Sequence, residues 1–254
     1  MTDTSASTDD DVRAAYTARA DEYTERLGSV SAMDPLDRRL ISDWARSCRG
    51  PIVDAGCGPG HWTDLMAGLG ADVEGVDLVP AFVELARARF PTTTYRVARL
   101  DDLGLPDRST AGILAWYSLI HHEPGRVPAV LDEFRRCLRD DGTLVVGFFV
   151  GDRLEPFPHT VTTAYSWPVD ELTRVVTEAG FVVRDVQTRP NPARPDRWHG
   201  AMVAELTSAG WSDVSPSGPS APALMDRAHR AVHITRGLSW NASSRWTTES
   251  SSPT

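Results

Sequence analysis

A glycine loop, two aspartates and a pair of histidines are the residues of this 254-residue chain whose types and spacing could do chemistry. The loop is VDAGCGPGH, residues 53–61, with glycine at 56, 58 and 60. Glycines so spaced permit a tight turn and let a ligand approach the backbone, with free amides at the start of a following helix. In a dinucleotide fingerprint GxGxxG/A the last small residue lets helix and strand pack beside a pyrophosphate; here that register holds His61. Asp54, at the strand end beside the loop, would repel a phosphate and attract an ammonium or sulfonium group. Asp77 lies 21 positions beyond Gly56, the spacing at which an acid accepts hydrogen bonds from both ribose hydroxyls in nucleoside-binding α/β folds. The loop and Asp77 together suit a cationic ligand with an adenosine part. The competing reading of Asp77 is a cap for the helix opening at Pro80, and that of Asp54 a solvated strand end.

These residues need a framework of strands with helices between them. Apolar runs fall at 51–54, 71–77, 94–98, 111–117 and 143–150. Segments with apolar residues at three and four spacing lie between them: His61 to Leu69, Pro80 to Phe90 and Arg126 to Leu138. That alternation predicts parallel strands joined by crossover helices. A further helix is expected from Pro168 to Ala179, and then FVVRDV and WHGAMVAEL as two strands flanking the Pro-rich RPNPARPDR, an antiparallel hairpin with a long loop. The total is seven strands. Residues 11–47 read as helices preceding the first strand, and 207–254 as a Ser/Thr/Pro-rich tail expected to be mostly disordered, with PALMDRAHRAVHI admitting a short helix.

Composition removes several classes of function. All 26 basic residues are arginine, so chemistry that needs a lysine amine, such as a Schiff base or a P-loop, is excluded. A net charge of −9 opposes a surface built to neutralise many phosphates, so no nucleic-acid partner is expected. Cys48, Cys57 and Cys137 have neither CxxC nor His-paired spacing, so neither a disulfide framework nor a metal site is expected. The polar, acidic N-terminus and the lack of a long apolar window predict a cytoplasmic chain without a membrane span.

VDAGCGPG, then GVDLVPAFVELAR, then LGLPDRSTAGILAWYSLIHH resemble the class I S-adenosylmethionine-dependent methyltransferases, in the small-molecule branch that includes quinone-biosynthesis enzymes. The resemblance spans about residues 12–206. It implies a Rossmann-like α/β fold, a seven-stranded mostly parallel sheet of order 3-2-1-4-5-7-6 with the last strand antiparallel and helices on both faces. It divides the chain into an acidic N-terminus and helical cofactor cover (1–47), a core (48–206) and the tail (207–254). It also implies S-adenosylmethionine as cofactor, the methionine moiety held by Asp54, Ala55, Gly56, Gly58 and Gly60, the ribose by Asp77 and the adenine face by Leu78. Arg99 and Leu100 would lie beside the adenine, with Tyr117 completing the set. Many relatives carry an acid at or near Arg99, which this chain lacks, so Asp101 or backbone would take the adenine amino group. Tyr16 and Tyr23 match the aromatic pair that closes over the cofactor in many relatives, with plain helix packing as the other reading.

Methyl transfer from a sulfonium starts from an activated leaving group, so orientation can supply much of the catalysis and a base is needed only where the acceptor must lose a proton. His121 and His122, at the ligand end of the fourth strand, are the candidate catalytic bases, and loop residues shaping the turn before Pro124 on the other reading. The connection GDRLEPFPHTVTTAYSWP, with Phe157, His159, Tyr165 and Trp167, is long enough to be a lid and is expected to form part of the acceptor pocket, or else to roof the sheet edge. The fourth strand lacks the (N/D)PPY-type motif by which nucleobase and glutamine methyltransferases resemble one another, which favours a small organic acceptor. A non-catalytic or non-methylating adenosylmethionine-binding protein is the alternative. A nicotinamide-dependent oxidoreductase is disfavoured by Asp54 and His61. The sequence is silent on oligomeric state.

Overall fold

Alternation within the central strands sets the two faces of the sheet. In a computed structural model, which describes residues 4–20, 24–25, 28–159, 161–191 and 194–206, β4 (Thr110–Trp116) and β5 (Leu138–Val150) are buried through most of their length. Ile113, Ala115, Leu144, Val146 and Phe148 point to one face, where Leu131 and Phe134 of α5 (Val127–Cys137) and Leu172 and Val176 of α6 (Val169–Glu178) pack. Their neighbours Leu114 and Val145 point to the other, against Ile41 and Trp44 of α2 (Pro35–Ser47) and Trp62 and Met66 of α3 (His61–Gly68). This period of two is what a sheet covered on both faces requires.

β1 (Ile52–Ala55) pairs in parallel with β2 (Val73–Asp77) and with β4, and β2 with β3 (Thr94–Val97). β4 pairs in parallel with β5, whose other long partner, β9 (Arg194–Leu206), is antiparallel and pairs in turn with β8 (Phe181–Asn191). The long sheet therefore runs β3-β2-β1-β4-β5-β9-β8. The expected seven strands are present in the expected order, with the last in sequence antiparallel. Helix α4 (Pro80–Arg89) follows β2, with Pro80 in its first turn. The N-terminal α1 (Thr4–Thr17) packs Tyr16 against Phe82 of α4, their ring centroids 5.5 Å apart.

Two expectations are corrected. The connection after β5 is not an open loop: it folds into a hairpin of β6 (Glu155–Pro158) and β7 (Thr163–Trp167), and β7 joins the end of β5 through Phe149–Ser166 and Val150–Trp167. Among the described residues the sheet thus has nine strands. Nor does the Pro-rich stretch form a long loop, because β8 and β9 run into it up to the Asn191–Arg194 pair. Pro156, Pro158 and Pro190 lie on β6 and β8, which have one strand neighbour each among the described residues. An edge strand tolerates a proline whose missing N–H would break a central ladder. β5 also begins five residues earlier than its apolar run, through a register shift between Thr110 and Gly112.

The chain divides into units Met1–Ser208 and Ala209–Thr254. The expected tail, with the short helix admitted within it, lies outside the described residues, as does Tyr23.

Candidate functional site

Strand β1 turns into α3 through the glycine loop, and two of its positions admit glycine alone. Gly56 has φ +84°, and a Cβ there would stand 2.3 Å from the Cβ of Ser118. Gly60 has φ +85°, and its Cβ would stand 2.8 Å from the Cβ of Ala86 and from the Tyr95 hydroxyl. Side chains at both positions would be strained and would clash, so the loop lies close against the end of β4 on one side and α4 on the other. The amides of Gly56 and Cys57 donate to the carbonyl of Val76, at 2.8 and 2.9 Å, which anchors the loop to β2.

Asp77, at the carboxyl end of β2, accepts from the Gly58 amide through Oδ2 and from the Val79 amide through Oδ1, both at 2.8 Å. It pins the glycine loop and holds the residue before α4 while also lining the cavity. The helix itself has no side-chain cap, so the cap reading of Asp77 is corrected. Burial raises its pKa to about 6 against the opposing pull of the Val79 and Gly58 amides.

Asp54 is one layer deeper. It is 1% exposed, Oδ2 accepts from the Thr63 hydroxyl at 2.6 Å, and Oδ1 is buried with no hydrogen-bond partner among the described residues. Burial, reinforced by the charge of Asp77, pushes its pKa up to about 7. Asp54, Ala55 and Gly60, expected with Gly56 and Gly58 to hold the methionine moiety, do not line the cavity. Residues of a central strand covered on both faces stay behind the loop that follows them.

The cavity encloses about 110 Å³. Its floor is Gly56 and Gly58; one side is Asp77, Leu78, Val79 and Phe82; the loop after β3 adds Arg99, Leu100 and Asp101. The end of β4 adds Trp116, Tyr117 and Ser118, the turn after it His121 and His122, and α1 covers it with Val12 and Tyr16. Ten of the sequence-predicted residues meet here: Tyr16, Gly56, Gly58, Asp77, Leu78, Arg99, Leu100, Tyr117, His121 and His122. Val12, Val79, Phe82, Trp116 and Ser118 were missed. Phe82 had a signal, since it lies in the first turn of the Pro80 helix, five residues after Asp77.

Two details concern the polar wall. Arg99 donates to both oxygens of Asp101, at 2.9 and 3.0 Å, and Arg126 donates to Oδ2 at 3.1 Å. The Arg99 hydrogen bonds hold the Asp101 carboxyl below its usual range. His121 is held at both ring nitrogens: Nδ1 lies 2.7 Å from the Thr163 carbonyl and Nε2 2.7 Å from the Tyr16 hydroxyl. A carbonyl only accepts, so Nδ1 carries the proton and Nε2 accepts from Tyr16. Burial holds the His121 pKa below its ordinary value.

The expected aromatic lid stands elsewhere. Trp167 is buried in the main core, while Phe157 and His159 pack on Phe149, and none of the three lines the cavity. The hairpin roofs the end of the sheet and touches the cavity wall through the Thr163 carbonyl. Among the described residues no three His, Cys, Asp or Glu side chains are grouped to hold a metal ion, and no helix is long and apolar enough to cross a membrane.

Residues 52–142 match a protein family described as a methyltransferase domain. A probable S-adenosylmethionine-dependent methyltransferase of Mycolicibacterium smegmatis is 33% identical over 64% of this chain and 61% of its own length. The malonyl-[acyl-carrier protein] O-methyltransferase of Serratia marcescens is 27% identical over 54% of this chain and 55% of its own length. The chain thus spans less than two thirds of these relatives. Among solved structures, 1,6-didemethyltoxoflavin-N1-methyltransferase of Burkholderia thailandensis shares the fold with a TM-score of 0.65 at 22% identity, over 80% of this chain and 89% of that one. The match identifies residues 52–142 as a methyltransferase domain, and the glycine loop, the acid at the end of β2 and the strand order lie in a chain similar to S-adenosylmethionine-dependent methyltransferases.

Proposed function

We propose that the protein transfers a methyl group from S-adenosylmethionine to a small organic acceptor. The observation that carries this reading is Asp77, which faces the cavity while fixing the glycine loop, so that an acid and a close-approach backbone border one space. The residues fit the cofactor. Each Asp77 oxygen spends one lone pair on an amide and keeps another for a ribose hydroxyl. Leu78, Leu100 and Phe82 offer apolar faces to the adenine, with Asp101 beside them for its amino group. The Gly56–Gly58 floor, free of side chains, receives the methionine moiety. Asp54 acts from behind the loop: its unpartnered Oδ1 and raised pKa make its charge dependent on a cation nearby, and a bound cation favours the ionised form. Tyr16 and Val12 exclude water from above. When bound, the cofactor supplies an electrophilic methyl group on a leaving group that needs no protonation, so orientation is the main task of the protein.

The acidic net charge, −9, favours a small molecule over nucleic acid as acceptor. A cytoplasmic location is part of the same reading, resting on the sequence alone.

Calorimetry with S-adenosylmethionine, S-adenosylhomocysteine and NAD tests the cofactor, and methyl-labelled cofactor incubated with a metabolite extract tests the transfer. Binding of both adenosyl ligands and label entering a small metabolite are expected. Binding without label transfer would favour a non-methylating adenosylmethionine-binding protein; binding of NAD alone would overturn the proposal.

A further inference from the structure

Three elements distant in sequence meet at one imidazole. Tyr16 comes from α1, His121 from the turn after β4, and the Thr163 carbonyl from the first residue of β7. The two hydrogen bonds, each 2.7 Å, form a directed chain: the Tyr16 O–H donates to Nε2, and Nδ1–H donates to the carbonyl. The chain starts at the cavity, which both Tyr16 and His121 line, and ends on backbone that cannot release a proton. The ring of His121 is held further by Tyr16, whose centroid is 5.4 Å away, and by His159 of the hairpin, 5.5 Å away. A loop histidine that merely shaped the turn before Pro124 would not need both nitrogens engaged across 105 and 42 residues of sequence.

We infer that Tyr16 and His121 form a proton relay serving the acceptor, and that the acceptor is a weakly acidic hydroxyl compound of the phenol or enol class. The inference rests on the methyl-transfer reading above. The class follows from what a relay is needed for. A carboxylate arrives already ionised at neutral pH, and a neutral amine attacks through its lone pair and sheds its proton afterwards. A phenol, with a pKa of about 10, is neutral at pH 7 and must lose its proton as it reacts. Tyr16 is the catalytic residue that touches the acceptor, and His121 acts through it. The acceptor proton passes to the Tyr16 oxygen as the Tyr16 proton passes to Nε2 of His121. The electron pair left on the acceptor oxygen forms the new C–O bond while the S–C bond of a sulfonium donor breaks, its electrons remaining on a neutral thioether sulfur. One positive charge is thereby lost at sulfur and one gained at the imidazole, so the cavity acquires no net charge. The Thr163 carbonyl stabilises the imidazolium through Nδ1–H. The burial of His121 keeps it neutral, and therefore able to accept, before the reaction.

The test uses full-length protein labelled with ¹⁵N-histidine and saturated with S-adenosylhomocysteine, with 4-nitrophenol as probe. Before the probe is added, His121 should show the Nδ1–H tautomer. On addition, its Nε2 resonance should move toward imidazolium, and the nitrophenolate absorbance should appear at least about one pH unit below its solution value. Tyr16→Phe keeps the ring that packs on Phe82, and at saturating adenosylhomocysteine both probe signals should vanish while turnover on phenols falls about 100-fold. His121→Ala should lose the absorbance change as well. A His121 resonance unmoved by 4-nitrophenol, or a phenolate signal that survives in Tyr16→Phe, would overturn the relay. Failure of adenosylhomocysteine to bind at all would instead sink the methyl-transfer reading.

Discussion

The two ends of the cavity are built on different principles. Toward β1, β2 and β3 the wall is backbone and carboxylate: a loop that requires glycine at 56 and 60, and Asp77 bonded to two amides. Toward β4 and β5 the surroundings are rings in contact: Trp116 on Tyr117 at 5.5 Å, Tyr117 on Phe149 at 5.1 Å, and Phe157 and His159 on Phe149 beyond them. Backbone conformation and hydrogen bonds to main-chain amides allow few residue types, so the first end is tightly specified. Ring packing accepts many combinations of similar volume, so the second end can vary with the acceptor while the first keeps its ligand.

The largest test of this contrast is the buried charge of Asp54. Its folded pKa of about 7 is above the 3.8 of an exposed aspartate, so the folded state holds the proton more tightly than the unfolded chain does. The carboxyl therefore stabilises the fold fully below about pH 4, and that contribution is lost as pH rises through about 7. His61, held near 4 by burial, changes in the opposite sense over part of the same range, so the wild-type profile alone does not isolate Asp54. The difference between wild type and Asp54→Asn does. Ligand-free Asp54→Asn should gain on the wild type by on the order of 3 kcal/mol between pH 4 and pH 8, because each tenfold difference in proton affinity between the folded and unfolded chain is worth about 1.4 kcal/mol. Urea unfolding at a series of pH values measures it, and a difference independent of pH would mean that Asp54 is not charged against its surroundings.

Asp77→Ala should act on binding as well as on the pH profile, since burial raises the Asp77 pKa too, to about 6. It removes charge-assisted hydrogen bonds to a ribose, together worth about 1.5–3 kcal/mol, and should weaken adenosylhomocysteine by about 10 to 100 fold. It also leaves the Gly58 and Val79 amides without their acceptor, so a lower melting temperature should accompany the lost affinity. Asp77→Asn, which keeps one carbonyl oxygen, should recover part of the stability but less of the affinity. Unchanged affinity in the alanine variant, measured by calorimetry, would take the ribose role from Asp77.

The same contrast explains what could be read from sequence. The strand order and the crossover helices were legible because apolar period and glycine placement are local signals; helices 80–89 and 127–137 fall within a residue of the expected bounds. Gly56, Gly58, Asp77 and Leu78 were legible for the same reason. The burial of Asp54 was not, since its position beside a glycine loop does not tell whether the side chain faces the ligand or the helix behind. The β6–β7 hairpin was hidden by Pro156 and Pro158, which resemble loop residues until the strand proves to be an edge. The Tyr16–His121 contact joins residues 105 positions apart, and no local pattern announces it.

The smallest expected effect comes from the ring-built end. Phe157 is half-buried against Phe149, its centroid 5.3 Å away, and the Arg197 guanidinium lies 4.4 Å from its ring centre. Removing the ring forfeits part of the stabilisation from aromatic burial and a cation–π contact of about 0.5–1 kcal/mol at a site open to solvent. Phe157→Ala should therefore lower stability by about 1–2 kcal/mol. Because Phe157 does not line the cavity, adenosylhomocysteine affinity should stay within about twofold. A tenfold loss of that affinity would join the two ends, and the path would run from the hairpin through the Thr163 carbonyl and His121 to Tyr16. Adding Phe157→Ala to Tyr16→Phe decides whether that path carries the effect: independent sites give additive losses, whereas coupling through His121 makes the second substitution nearly silent.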